Sequence, residues 1–163
     1  MNTKYNIISQ KRILANPKLL EQCEQLDLTY FPRPWKKGEL AKFAVTREEG
    51  LFIRGISDDL DRVIGFIFGV NDHFLQQFHL YKIMIHPDYR GKSLSLSLMK
   101  HAYDELERQG ILNIYLEVEV DNDVAIRLYE RVGLDKVHRV KSFYSDGKDA
   151  HIMTGVINHN LFD

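Results

Sequence analysis

The chain has 163 residues, 44% hydrophobic and 28% charged, proportions of an ordinary globular domain that fit one core better than two. Its 22 Lys and Arg against 23 Asp and Glu leave a formal net charge of −1. That removes any global electrostatic ground for a nucleic-acid partner or an acidic membrane surface, so an anion would have to be held by local geometry. The single cysteine, Cys23, excludes an internal disulfide framework and a Cys-rich metal cluster.

From Met1 to Gln10 there is a lysine but no apolar stretch of a signal peptide, and no window approaches the roughly 18 apolar residues of a membrane span. A soluble, cytoplasmic protein follows as the expectation, with residues 1–163 forming a single domain free of linkers and repeats. After a leading strand, Asn16 to Thr29 sets Leu19, Leu20, Cys23 and Leu26 at helical spacing, with Asn16 as N-cap and Pro17 at the first helical position. Cys23 falls on its apolar face, as a small buried residue. Phe31-Pro32-Arg33-Pro34-Trp35 is a rigid aromatic turn, since each proline fixes its own φ and restricts the residue before it. A short helix, Gly38 to Val45, comes next. Leu51 to Ile56 and Arg62 to Val70 make a hairpin around the polar stretch Ser57–Asp61, and Ile64 to Val70 is apolar enough for a strand buried on both faces.

Phe78 to Ile85 is a third strong strand, ended by His86-Pro87-Asp88. The turn that follows feeds a long helix in which Leu94, Leu98, Ala102 and Leu106 recur every four residues, with Met99 and Tyr103 widening the stripe. Gly110 stops it. Asn113 to Val120 alternates, placing Leu116, Val118 and Val120 on one face and Tyr115, Glu117 and Glu119 on the other. Asp121-Asn122-Asp123 caps a short helix to about Val132, with Gly133 at its end. Lys136 to Lys141 and Ala150 to Ile157 are the last strands. The order predicts an α/β (α+β) fold: a mixed, mostly antiparallel sheet of six to seven strands flanked by about four helices.

The strand-to-helix junction carries the most chemistry. A helix N-terminus offers unpaired amides and the positive end of the macrodipole, so a short turn entering a helix from a strand is a phosphate site, and Arg90 and Lys92 add two charges beside it. With this junction, three stretches resemble the GNAT superfamily of N-acetyltransferases, and within it the branch that acetylates the N-terminal amine of ribosomal proteins. They are Ile83 to Ser95, Leu116 to Leu134 and Tyr144 to Met153. The resemblance runs from about Phe31 to Val156 and implies the family's single-domain fold, with acetyl-CoA as co-substrate and no metal. It implies that Arg90, Gly91, Lys92, Ser93, Leu94 and Ser95 cradle the pyrophosphate. It further implies that the backbone of Ile83, Met84 and Ile85 pairs with pantetheine and that Asn122 contacts the cofactor. Ser93 and Ser95 stand where the family has glycines. The first turn of a helix has negative φ, so the expected backbone cost of these serines is small.

Acetyl transfer to an amine needs a base for the ammonium proton and an acid for the leaving thiolate. Glu117 and Tyr129 fall where the resembled branch has them, and strand alternation already sets Glu117 and Glu119 on one polar face. Phe31, Trp35 and Tyr144 stand where the resembled enzymes shape the approach of a peptide N-terminus, with Glu119 facing the amine. The seven histidines show no paired metal-ligand spacing. Cys23 lies far from this group, which argues for direct transfer. The leading reading is acetyl-CoA-dependent transfer to a primary amine, a protein N-terminus first among acceptors, by a monomer or homodimer. Two alternatives stay open: a small-molecule amine or lysine side chain as acceptor, and a weakly active or inactive acetyl-CoA-binding regulatory domain.

Overall fold

A computed structural model describes residues 4–46 and 49–163. In chain order the elements are β1 (Asn6–Ile8), α1 (Gln10–Ala15), α2 (Pro17–Tyr30), α3 (Glu39–Thr46), β2 (Leu51–Ser57), β3 (Val63–Asp72), β4 (Gln77–Ile85), α4 (Leu94–Arg108), β5 (Asn113–Glu119), α5 (Asp123–Arg131), β6 (Asp135–Val140) and β7 (Ala150–Val156). Among the described residues the sheet has seven strands in the order β1-β2-β3-β4-β5-β7-β6. β4 and β5 run parallel, while β1·β2, β2·β3, β5·β7 and β6·β7 are antiparallel. The mixed sheet is as predicted. The described residues hold five α-helices where about four are expected, the additional one being α1. Ser9 caps α1 by accepting the Arg12 N–H at 3.3 Å, and Asn16 both ends it and accepts the Lys18 N–H of α2 at 3.1 Å. Among the described residues no helix is long and apolar enough to cross a membrane.

The chain divides into two compact units, Met1–Val70 with Lys82–Leu98, and Asn71–Tyr81 with Met99–Asp163. In the first, β3 is buried along nearly its whole length, as its apolar run requires. Leu19, Cys23 and Leu26 of α2 and Leu40 and Ala44 of α3 join Ile53, Phe66 and Phe68 in one core cluster. Gly65 is where β3 lies against the end of β4: a Cβ there would stand 2.6 Å from the Met84 carbonyl oxygen and 2.5 Å from Ile85 Cδ1, distances no side chain tolerates.

Among the described residues, Lys82 and Asp27 form a buried charged pair in this unit. Lys82 Nζ donates to Asp27 Oδ1 at 2.5 Å, with the two side chains 4% and 3% exposed. Asp27 Oδ2 accepts the Trp35 N–H at 2.8 Å, and the ammonium lies 4.4 Å from the centre of the Phe31 ring and 5.1 Å from that of Trp35. The proline-bounded turn is therefore fastened to α2 and β4 by one carboxylate and one ammonium.

In the second unit, Met99, Ala102, Tyr103 and Leu106 of α4 are buried, the stripe the sequence predicts, and Tyr103 donates to the Val132 carbonyl at 2.8 Å. β5 alternates as expected: Leu116 and Val118 are buried, Tyr115, Glu117 and Glu119 half-buried. Leu134 is 1% exposed and acts in packing.

Candidate functional site

The first unit holds the phosphate-type turn. After Ile85, His86 accepts the Asp88 N–H at 3.2 Å and opens a short 3-10 turn, Pro87–Tyr89. Arg90 donates from Nε to the Ile85 carbonyl at 3.1 Å, tying the turn to the strand end. Gly91 then takes φ +76° and Ser93 φ +57°. Two left-handed residues flanking one ordinary residue bring successive amides toward a common concave side, an anion-binding shape. The first backbone hydrogen bond into α4 is Ser97 N–H to the Ser93 carbonyl, 3.0 Å. Among the described residues the amides of Leu94, Ser95 and Leu96 therefore have no backbone acceptor. Three open amides at the positive end of a 15-residue helix suit a pyrophosphate. Lys92 Nζ stands over the Tyr89 and Tyr5 rings at 5.2 and 5.9 Å. Ile83 of β4 is half-buried and Met84 and Ile85 are buried.

The expectation of negative φ fails at Ser93. Helix α4 begins one residue later, at Leu94, so Ser93 belongs to the turn, in a conformation that costs an L-residue about 1–2 kcal/mol. Ser95 lies within α4, where the expectation holds. Glycine relieves the cost at 93 but adds about 0.5–1 kcal/mol of chain entropy. Ser93→Gly is thus expected to stabilise the fold by about 0.5–1 kcal/mol, raising Tm by roughly 1–4 °C. A thermal melt with unchanged or lowered Tm would contradict the strained assignment.

The second unit holds the carboxylates and the phenol. The parallel register pairs His79 with Tyr115, so Glu117, two residues on, lies diagonal to His79 on the same face. Glu117 Oε2 meets His79 Nε2 at 2.7 Å. Their side chains are 22% and 18% exposed. Glu119 is ion-paired with Lys148 of the β6–β7 loop, so a carboxylate expected to face the amine already holds a cation. Asn122 caps α5 through Oδ1, which accepts the Ala125 N–H at 3.2 Å, leaving its Nδ2 as the group with donors to offer.

Tyr129 is 8% exposed, placed there by the short apolar face of α5. Burial, with a smaller contribution from the neighbouring Tyr144, holds its phenol well above the usual range. Among the described residues its hydroxyl has no hydrogen-bond partner. Tyr144 opens a tight turn in which its carbonyl accepts the Gly147 N–H at 2.9 Å.

Phe31 and Trp35 pack against the first unit's core, and Trp35 meets Phe43 and Phe68 at 5.2 and 5.3 Å between ring centres. A recess of about 310 Å³ lies beside them, lined by Trp35, Glu39, Lys42, Phe43 and Thr46. Cys23 is fully buried, and burial pushes its thiol up to about 12, which keeps it protonated and unreactive.

The predicted residues thus fall into local groups. Ile83–Ile85 and Arg90–Ser95 are contiguous in the first unit, where Phe31 and Trp35 surround Lys82. Glu117, Glu119, Asn122, Tyr129 and Tyr144 lie in the second. Sequence reading missed His79 and Lys148. For His79 the signal was present, since the alternation of β4 puts it on the polar face with Tyr81, but its partner depends on a strand register no local pattern shows.

Residues 20–134 match the Acetyltransferase (GNAT) family. The [ribosomal protein bS18]-alanine N-acetyltransferase of Escherichia coli K12 is 36% identical over 89 residues, 53% of this chain and 60% of that protein. An N-alpha-acetyltransferase of Saccharolobus solfataricus is 36% identical over 76 residues, 46% of each chain. The match therefore spans less than two thirds of the length of these curated relatives. The crystal structure of the ribosomal-protein-S18-alanine N-acetyltransferase from Escherichia coli superimposes with a TM-score of 0.79 at 26% identity, covering 95% of both chains.

Proposed function

The chain belongs to the acetyltransferase (GNAT) family, and on that footing we propose that it transfers an acetyl group from acetyl-CoA directly to a primary amine, with a protein N-terminal amine as acceptor. The observation that carries the reading is the turn at 91–96, with two left-handed residues and three amides lacking backbone acceptors. The names of the relatives in Escherichia coli and Saccharolobus solfataricus support the choice of acceptor. We place the reaction in the cytoplasm and read residues 1–163 as one domain.

Acetyl-CoA, when bound, supplies the thioester. Leu94, Ser95 and Leu96 offer their amides to its pyrophosphate and Lys92 adds a charge, while Arg90 braces the turn against Ile85. The parallel ladder between β4 and β5 covers Gln77–His79 of a nine-residue strand, which supports the backbone of Ile83, Met84 and Ile85 as the edge that pantetheine extends. In the second unit, Asn122 has its Nδ2 to offer a cofactor. Glu117 takes a proton from the incoming ammonium, and Tyr129 gives one to the leaving sulfur. A phenol held above its usual range still serves, because a thiolate formed in apolar surroundings is also a stronger base; the buried Cys23 thiol illustrates the direction. The second proton lost by the nitrogen restores the phenol. Glu119 and Tyr144 shape the acceptor side.

Release of CoA from acetyl-CoA with peptides bearing free N-termini tests the reading. Turnover that stops when the N-terminus is blocked identifies the α-amine, whereas persistence on blocked peptides identifies lysine. Turnover only on small amines would replace the acceptor class. Calorimetric binding of acetyl-CoA without turnover on any amine would leave the regulatory alternative.

A further inference from the structure

We propose that His79 is a positioning residue for Glu117: its Nε2–H fixes one carboxylate oxygen and leaves the other directed at the incoming amine. This rests on the acetyl-transfer reading above. A carboxylate acting as base only accepts hydrogen bonds, so in the proposed role the 2.7 Å contact is donated by His79 Nε2–H. Among the described residues no other group hydrogen-bonds Glu117, so without His79 the carboxylate has several rotamers available and nothing to choose among them.

The imidazole is itself immobilised. It stacks on Tyr115 with ring centres 4.1 Å apart and planes 21° from parallel, and meets Tyr81 at 4.3 Å and 34°. These are residues of β4 and β5, which pair in register at His79 and Tyr115, so the donor's direction is set by the sheet before a substrate arrives. Preorganisation of this kind lowers the entropy lost in reaching the reactive geometry. The pair is also positioned to matter: at 18% and 22% exposure it is sheltered from much of the screening that weakens surface pairs, yet open enough for Glu117 to meet a substrate. A histidine serving only to fill space would need neither the short contact nor a carboxylate opposite it.

Two substitutions separate donor from filler. His79→Phe keeps a flat ring between the tyrosines and deletes the N–H, whereas His79→Gln returns an amide N–H near the place of Nε2. His79→Phe is expected to lower kcat about ten- to a hundredfold, the worth of a hydrogen bond to a charged group, while acetyl-CoA affinity by calorimetry stays within about twofold of the parent. His79→Gln is expected to recover most of the lost rate. Parent-like kcat in His79→Phe, or no recovery in His79→Gln, would overturn the proposal. A second readout needs no turnover: ¹⁵N NMR of the imidazole should show the Nε2-protonated form in the parent and lose that preference in Glu117→Ala. An unchanged tautomer in Glu117→Ala would sink the hydrogen bond itself, whereas a parent inactive on every amine, with the tautomer result intact, would sink only the acetyl-transfer reading.

Discussion

Glu117→Gln should lower kcat about 10²- to 10⁴-fold, the span ascribed to a positioned general base, and leave acetyl-CoA binding unaltered. The amide keeps the size of the side chain and can still accept from His79 Nε2, so the sheet and its packing survive. What it loses is basicity. An α-amine is mostly ammonium at neutral pH, and the nitrogen is nucleophilic only after a proton has gone. The acid side is less demanding, because a thiolate is a far better leaving group than an alkoxide. The neighbouring Glu119 is a poor substitute, being ion-paired with Lys148. Steady-state kinetics with a free N-terminal peptide, alongside calorimetry with acetyl-CoA, checks this. A kcat within a few fold of the parent would move the base to another residue or to water.

The second large effect is on stability. Asp27→Asn should cost about 3–5 kcal/mol, because it takes from the buried Lys82 ammonium the carboxylate it is bonded to. The pair is not a simple asset. Desolvation outweighs the attraction of Asp27 and holds the Lys82 ammonium below its ordinary 10.5, so the folded chain binds this proton less tightly than the unfolded chain does. By linkage, the cost of burying the charge is present in full below the folded value and is relieved as pH rises toward 10.5. Asp27→Leu with Lys82→Met removes both charges together and should recover most of the loss in urea denaturation. A loss below about 1 kcal/mol for Asp27→Asn, or a double variant no better than the single one, would show that the pair is not desolvated.

Much of the architecture was legible because its signals are local. The α4 stripe from Leu94 to Leu106, the alternation of β5 and the Asn16-Pro17 start of α2 each reside in a few adjacent residues, and all three stand as read. Helix α1 escaped because its six residues bury only Ile13, and one apolar position defines no period. Ser93 was misjudged for a related reason. Whether a residue closes a turn or opens a helix is a matter of one position, and the sign of φ changes across it. The candidate site is legible in the sequence as residue types more than as partnerships. Glu117, Tyr129 and the basic turn can be picked out along the chain, but the contacts His79–Glu117 and Lys148–Glu119 join residues 38 and 29 apart in sequence, and only the pairing of strands brings them together.

The ends of the strand order carry a consequence for how such a chain behaves when crowded by its own copies. An outermost strand exposes a row of amides and carbonyls onto which another chain can add. At one end stands β1, only three residues long, too short a template to recruit much. At the other stands β6, whose pairing with β7 slips between Lys136 and His138 and whose residues from Asp135 to Arg139 are exposed, charged ones among them. A broken repeat and side chains that resist dehydration make this margin a poor seed for β-aggregation, so copies of the chain can crowd together without polymerising along this border.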